Sequence, residues 1–261
     1  MKHRSFNILG DIAVVNFSDG TTLKDRKKFS EEILKEVKAV KTVVEKSKKF
    51  SGRLRKMETR HLAGEKNKEV LYKENGCVFR FNIDETYFSP RLSNERKEIS
   101  SLIKKGEEVL VMFAGVGPFS CVIAKNSKAK KVYSNEINRK ANVYGKLNLE
   151  LNKLKEKVVL LPGDVKRIVK KLKTEKKFFE VVVMPRPQLK DNFLEQAFQV
   201  SKKGTRIYYY DFCKIEEIDL IVEKVKDSAK IAKKKIKILK VKTAGEIAPY
   251  KARVRVDFRV V

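Results

Sequence analysis

The run Val109-Leu110-Val111-Met112-Phe113-Ala114-Gly115-Val116-Gly117-Pro118-Phe119 decides the fold. Its apolar start reads as a short buried strand, Gly115 and Gly117 as a tight turn, and Pro118 as the opening of a helix. Proline suits the first helical turn, where its missing N–H would have had no partner. The two glycines let the backbone turn sharply and approach a ligand closely, because neither carries a Cβ. In a doubly wound α/β sheet this place is the carboxyl end of a strand, where ligands sit.

Outward from that run, toward the C-terminus, strands and helices alternate. Strands are expected over 109–112, 131–134, 158–161, 179–184 and 206–211. Helices are expected over 94–104, after Pro118, and over 138–151, 166–172, 191–200 and 216–232. Such alternation predicts a mostly parallel sheet with helices on both faces. Two last strands, 236–243 and 252–260, are expected as an antiparallel pair at one edge. Toward the N-terminus the pattern changes. A strand over 8–17 opened by Gly10-Asp11, a helix over 24–40 and a strand over 40–44 precede a basic segment, 46–56. Strands at 70–73 and 77–83 then flank Glu74-Asn75-Gly76, an Asn-Gly hairpin turn. The expected division is a small α+β domain, 1–83, followed by the doubly wound domain, 84–261.

Composition narrows the partners. The 261 residues hold 61 Lys+Arg against 33 Asp+Glu, a formal net charge of +28. That excess points to a polyanion, nucleic acid ahead of an acidic membrane. No apolar run approaches the ~20 residues of a membrane span, and no signal-like segment follows Met1. Cys77, Cys121 and Cys213 lack metal-type spacing, and His3 and His61 are the only histidines. A cytoplasmic, metal-free monomer is expected.

Acidic residues at successive strand ends choose the ligand. Glu136 closes the second strand of the doubly wound domain, near the ~20-residue offset of an acid that grips ribose hydroxyls. Gly163-Asp164 closes the third, where a carboxylate can meet an adenine amino group. Position 120 is serine, so the third glycine of a dinucleotide fingerprint is missing. Two acids without a phosphate cradle favour S-adenosylmethionine, held by Phe113, Gly115, Gly117, Glu136, Ile137, Asp164 and Val165.

Longer strings carry a resemblance: Gly10-Asp11-Ile12-Ala13, Leu62-Ala63-Gly64-Glu65, Glu74-Asn75-Gly76-Cys77, Tyr87-Phe88-Ser89-Pro90-Arg91-Leu92-Ser93-Asn94-Glu95-Arg96 and Tyr209-Tyr210-Asp211-Phe212. With the glycine turn, they make the chain similar to the archaeal-eukaryotic type tRNA guanosine-37 N1-methyltransferases from about Asn7 onward. The resemblance implies a Rossmann-like class I methyltransferase domain behind a small RNA-contacting domain. It also implies methyl transfer from S-adenosylmethionine to N1 of guanosine 37, next to the anticodon. Guanine N1 carries a proton, so a base must remove it, and the resemblance gives that role to Glu95. An arginine that holds guanine O6 falls on Arg55, with Arg53 or Arg60 as stand-ins. A contact from such an arginine to phosphate is an equal alternative. Tyr87 and Arg91 are expected to line the cofactor and base pocket, with Met184 and Pro185 at the fourth strand end.

The chain departs from the family at three places. Val111 stands where an acid usually precedes Met-Phe-Ala-Gly, which puts one cofactor hydrogen bond in doubt. Pro185-Arg186-Pro187 replaces Asn-Leu-Pro, so Arg186 is expected to touch guanine or phosphate beside the stiff Pro187. The extra N-terminal domain of many relatives has no room, leaving recognition to basic surfaces around 46–60, 125–131 and 166–177. Two rival readings stand beside this one. One is an aminocarboxypropyl transferase or dual-activity enzyme of wybutosine-type tRNA modification. The other is a degenerate methyltransferase that only binds tRNA.

Overall fold

The computed structural model describes residues 5–51, 54 and 56–261. Two sheets and a hairpin organise them. The first sheet has the order β1-β2-β3-β4, with β1 at Ser5–Leu9, β2 at Ile12–Asn16, β3 at Thr42–Ser51 and β4 at Lys56–Gly64. The single strand expected over 8–17 is therefore two antiparallel strands. Gly10 reverses the chain at φ +60°, and a Cβ there would come within 2.6 Å of the Leu71 carbonyl oxygen. The Gly10-Asp11 step is a hairpin turn, not a strand opening. Helix α1, Leu23–Glu36, starts where Thr22 Oγ1 accepts from the Asp25 N–H. It ends before residue 40 because the chain must turn back into β3, which runs parallel to β2. Ile33 and Val40 pack on Ala13, Val15 and Val43 to close this small core. Most of the expected basic segment is strand, paired across β3 and β4.

The second sheet is seven-stranded, in the order β12-β13-β11-β10-β7-β8-β9. Its strands are β7 (Glu108–Met112), β8 (Lys131–Glu136), β9 (Val158–Pro162), β10 (Phe179–Met184), β11 (Ser201–Lys214), β12 (Ile236–Ala248) and β13 (Lys251–Val260). All neighbours pair in parallel except β13, which runs antiparallel to both β11 and β12. Successive side chains on a strand point to opposite faces. Val109 and Val111 accordingly join one core cluster, and Leu110 and Met112 the other. Both faces are covered, so the strands read as continuous apolar runs. The helices are α2 (Ser93–Leu102), α3 (Pro118–Asn126), α4 (Arg139–Leu151), α5 (Val165–Thr174), α6 (Leu194–Gln199) and α7 (Ile218–Ile231).

The hairpin of β5 (Glu69–Glu74) and β6 (Cys77–Asn82) turns through Asn75 and Gly76, both at positive φ, as an Asn-Gly turn requires. It rides on α4: Asn152 and Asn148 accept from the Val78 and Arg80 N–H groups at 2.9 and 2.7 Å. Arg96 of α2 then clamps it, donating from Nη2 to Glu74 Oε2 at 2.6 Å and lying 5.2 Å over the Phe88 ring. Both partners of that ion pair are buried.

Candidate active site

The cleft forms where the glycine turn leaves β7. Phe113 has φ +59°, Gly115 +58° and Gly117 +88°, so three left-handed residues turn the chain toward α3. A left-handed phenylalanine is strained, and such strain collects at ligand sites. Phe113 is braced by Phe193, also left-handed, at 4.9 Å between ring centres. Opposite, β8 ends in Glu136. Its Oε2 accepts the Gly115 N–H and its Oε1 the Asn138 N–H, both at 2.7 Å. Burial pushes its carboxyl above the usual carboxylate range, against the pull of the backbone donors Asn138, Gly115 and Ile137. Between these elements lies a cleft of about 680 Å³, counted with the open space at its mouth. Tyr87, Phe113, Gly115, Glu136, Ile137 and Pro185 line it, with Arg186 and Pro187. A smaller recess beside it is walled by Phe113, Ile137, Gly163, Val165 and Pro187.

The remaining predicted positions sit around that centre. Asp164 caps α5, its Oδ1 accepting from the Lys166 N–H at 2.8 Å. Gly117 caps α3. Met184 is fully buried at the end of β10, and Arg91 is exposed on a second cleft that shares Tyr87 with the first. Val111 packs in the sheet core. Arg53 and Arg55 lie outside the described residues.

Arg186 lines the cleft and is also held within the protein. Its Nη1 pairs with Asp211, and its Nη2 donates to the Leu189 and Asp191 carbonyls. Asp211 also accepts from Tyr209 Oη at 2.6 Å and Lys224 Nζ at 2.9 Å. The Tyr-Tyr-Asp-Phe string thus ties down the loop after β10. Arg60 is likewise committed, donating from Nε to Glu45 Oε1 at 2.6 Å, while Arg26 shares the same carboxylate.

Glu95 is not on the cleft wall. It is 5% exposed on α2, where Arg255 Nη1 meets it at 2.6 Å, Lys242 Nζ at 2.8 Å and Tyr210 Oη at 2.9 Å. Arg255 also pairs with Glu98 and Asp257. Burial alone would raise the Glu98 carboxyl, but hydrogen bonds from Arg255 and Lys242 outweigh it and hold the group at about 2. Leu92, one helical turn before Glu95, does line the cleft.

Sequence reasoning missed Leu54, Asn138, Ala141 and Arg253 as cleft residues, and Phe212 as more than part of a string. A usable signal was present for Arg253: β13 alternates buried apolar residues with Arg253, Arg255 and Asp257, charges that a strand covered on both faces must find work for.

Residues 70–239 match the TRM5/TYW2 methyltransferase domain, and residues 2–67 match the TYW2 N-terminal domain. The chain belongs to the TRM5/TYW2 methyltransferase family. A Nanoarchaeum equitans relative, named tRNA (guanine(37)-N(1))/4-demethylwyosine(37)-methyltransferase Taw22, is 30% identical over 98% of this chain and 100% of its own length. The crystal structure of Trm5b from Pyrococcus abyssi superposes with a TM-score of 0.85 at 32% identity, covering 98% of this chain and 74% of that one. The structure of aTrm5 with tRNALeu gives 0.85 at 30%, covering 98% and 72%. As a TRM5/TYW2 methyltransferase, the chain is an S-adenosylmethionine-dependent enzyme of tRNA modification. The cleft fits that cofactor. It offers a close backbone approach at Gly115, a carboxylate for ribose hydroxyls at Glu136 and apolar walls at Phe113 and Ile137. Among the described residues no cluster has the makings of a metal site, and no helix is long and apolar enough to cross a membrane.

Proposed function

We propose that the chain methylates N1 of guanosine 37 in tRNA, beside the anticodon. The observation that carries this reading is the cleft itself. A glycine turn and an anchored carboxylate lie next to the stiff Pro185-Arg186-Pro187 loop and Tyr87, which gives a flat base a place beside a nucleoside cofactor. Relatives that bear this activity's name match 98% of the chain. S-adenosylmethionine, when bound there, supplies an electrophilic methyl group.

The protein's own task is to strip the N1 proton, because protonated guanine N1 has no free lone pair. We assign that proton to Glu95. It stands one helical turn behind Leu92 of the cleft wall, and an oxygen that receives the proton exchanges one of its present donors for it. Once the carboxyl is neutral, Glu98 and Asp257 remain as counter-charges for Arg255, and Glu98 for Lys242. Arg55 is the counterpart for guanine O6 on the strength of the resemblance. Glu95→Gln is expected to slow single-turnover methylation by roughly 10²–10⁴-fold while melting and cofactor titration hold, since Arg255 keeps Glu98 and Asp257. An unchanged rate removes Glu95 from the mechanism.

A second reading has its own support. The relative matched over its whole length carries a double name that includes 4-demethylwyosine, and residues 2–67 match the TYW2 N-terminal domain. One experiment separates the readings. The protein is incubated with S-adenosylmethionine and tRNA bearing either guanosine or 4-demethylwyosine at position 37, and the nucleosides are weighed. 1-Methylguanosine that vanishes when guanosine 37 is replaced supports the first reading. Methylation of the tricyclic base adds the second activity, and a heavier aminocarboxypropyl adduct replaces both. RNA binding without any product makes the chain a binding protein.

A further inference from the structure

A second cleft opens beside the first, of about 1380 Å³ counted to its mouth. One wall is the β1–β2 face of the first sheet, through Asn7 and Asn16. The opposite wall is residues 244–247 of β12, where two register shifts bulge the strand outward around Gly245 at φ +108°. Bulges at a sheet rim redirect side chains and commonly border functional sites. Lys46 and Arg91 supply charge, and Glu246 is the one acid among the lining residues.

Tyr87 and Arg253 line both clefts. Arg253 is 9% exposed, and its guanidinium lies 5.3 Å over the ring of Phe212, its register partner on β11. No hydrogen bond or ion pair joins it to any described residue. Its neighbours differ: Arg255 meets three carboxylates, and Arg186 meets Asp211. Its guanidinium nitrogens keep contact with open space rather than with a carboxylate, and their position between two clefts indicates where an anion can arrive.

We infer that the second cleft receives the nucleotide adjoining the target base in single-stranded RNA, and that Arg253 grips the phosphodiester linking the two. The chemistry matches on each count. A base that enters a catalytic pocket leaves its stack and swings its backbone out. Its neighbour then needs a flat wall and amide groups for its edge, which Tyr87, Asn7 and Asn16 provide. The linking phosphate needs a cation at the shared wall. This inference rests on tRNA being the substrate, as proposed above.

The test measures binding and single-turnover rate on an anticodon-arm RNA. Arg253→Gln is expected to weaken RNA binding and to lower the slope of log affinity against log salt by about 0.7, one single-strand phosphate contact. Arg253→Lys should restore that slope. The loss should fall on KM rather than on the rate at saturating RNA, and the cofactor titration should hold. In the unsubstituted protein, an abasic site at one neighbour of the target should weaken binding roughly 5- to 150-fold, the range of one stacked base. Unchanged binding by Arg253→Gln, or indifference to both abasic sites, overturns the inference and leaves the methylation reading intact. A slower rate at saturating RNA with binding preserved also overturns it, by putting Arg253 on the reacting guanine. Failure of the unsubstituted protein to bind or modify the RNA overturns both readings together.

Discussion

Glu136 reaches the cleft because backbone N–H groups of Gly115 and Asn138 hold both of its oxygens, not because a charged side chain pairs with it. Burial is the largest influence on its carboxyl and raises it, so it takes up a proton at higher pH than an ordinary glutamate. The ionised form is the better acceptor for ribose hydroxyls. Affinity for S-adenosylmethionine should therefore be full above that raised value and fall as pH drops through it. Glu136→Ala should weaken binding and flatten this dependence. Calorimetric titration across pH checks both, and a profile identical in the variant would exclude Glu136 as the ribose ligand. The position of this residue at the cleft was legible in the sequence because it depends on local spacing from the glycine turn. The ion pairs of Arg186 and Arg60 were not. Their partners, Asp211 and Glu45, lie 25 and 15 positions away, and only the folded sheets bring them together. The string singles out Glu95, but it cannot show Arg255 arriving from 160 residues downstream.

At the scale of elements, the hairpin of β5 and β6 belongs to the larger sheet's helices through a few buried polar contacts. Arg96 is 1% exposed and Glu74 is held with it, so removing one partner strands the other charge. Arg96→Leu should destabilise the protein by about 3–5 kcal/mol, the usual consequence of halving a buried pair. Pairing it with Glu74→Leu should recover much of that loss, as urea unfolding of the single and double variants would reveal. Equal instability of the two would mean that packing on Phe88 and Phe119, not charge, fixes the hairpin. The order of elements from β7 onward was readable, because strands covered on both faces leave unbroken apolar runs between helical repeats. The first sheet was harder. A two-residue reversal at Gly10 hides inside one alternating pattern, and the lysines of β3 disguise a strand as a basic loop.

Across the whole molecule, the net charge of +28 is the property that a polyanionic substrate meets first. Much of the cationic surface is spent in ion pairs, such as Lys166 with Asp191 and Lys177 with Glu108, but the excess remains. Affinity for tRNA should fall steeply with salt. With 6–10 phosphate contacts the loss is roughly 10³–10⁵-fold between 50 and 200 mM. Filter binding over that range measures the slope, and a flat line would mean that the charge serves something other than RNA. Composition made this much plain; which cations face the cleft had to wait for the sheet order. That order has a consequence for synthesis. Strand β13 lies between β11 and β12, although β12 precedes it in the chain. Until residues 251–260 leave the ribosome, β12 has no partner in the sheet and Arg253 is not yet in its wall. A nascent chain can fold its glycine turn and its Glu136 well before then, but the groove proposed for RNA is finished only after β13 has emerged.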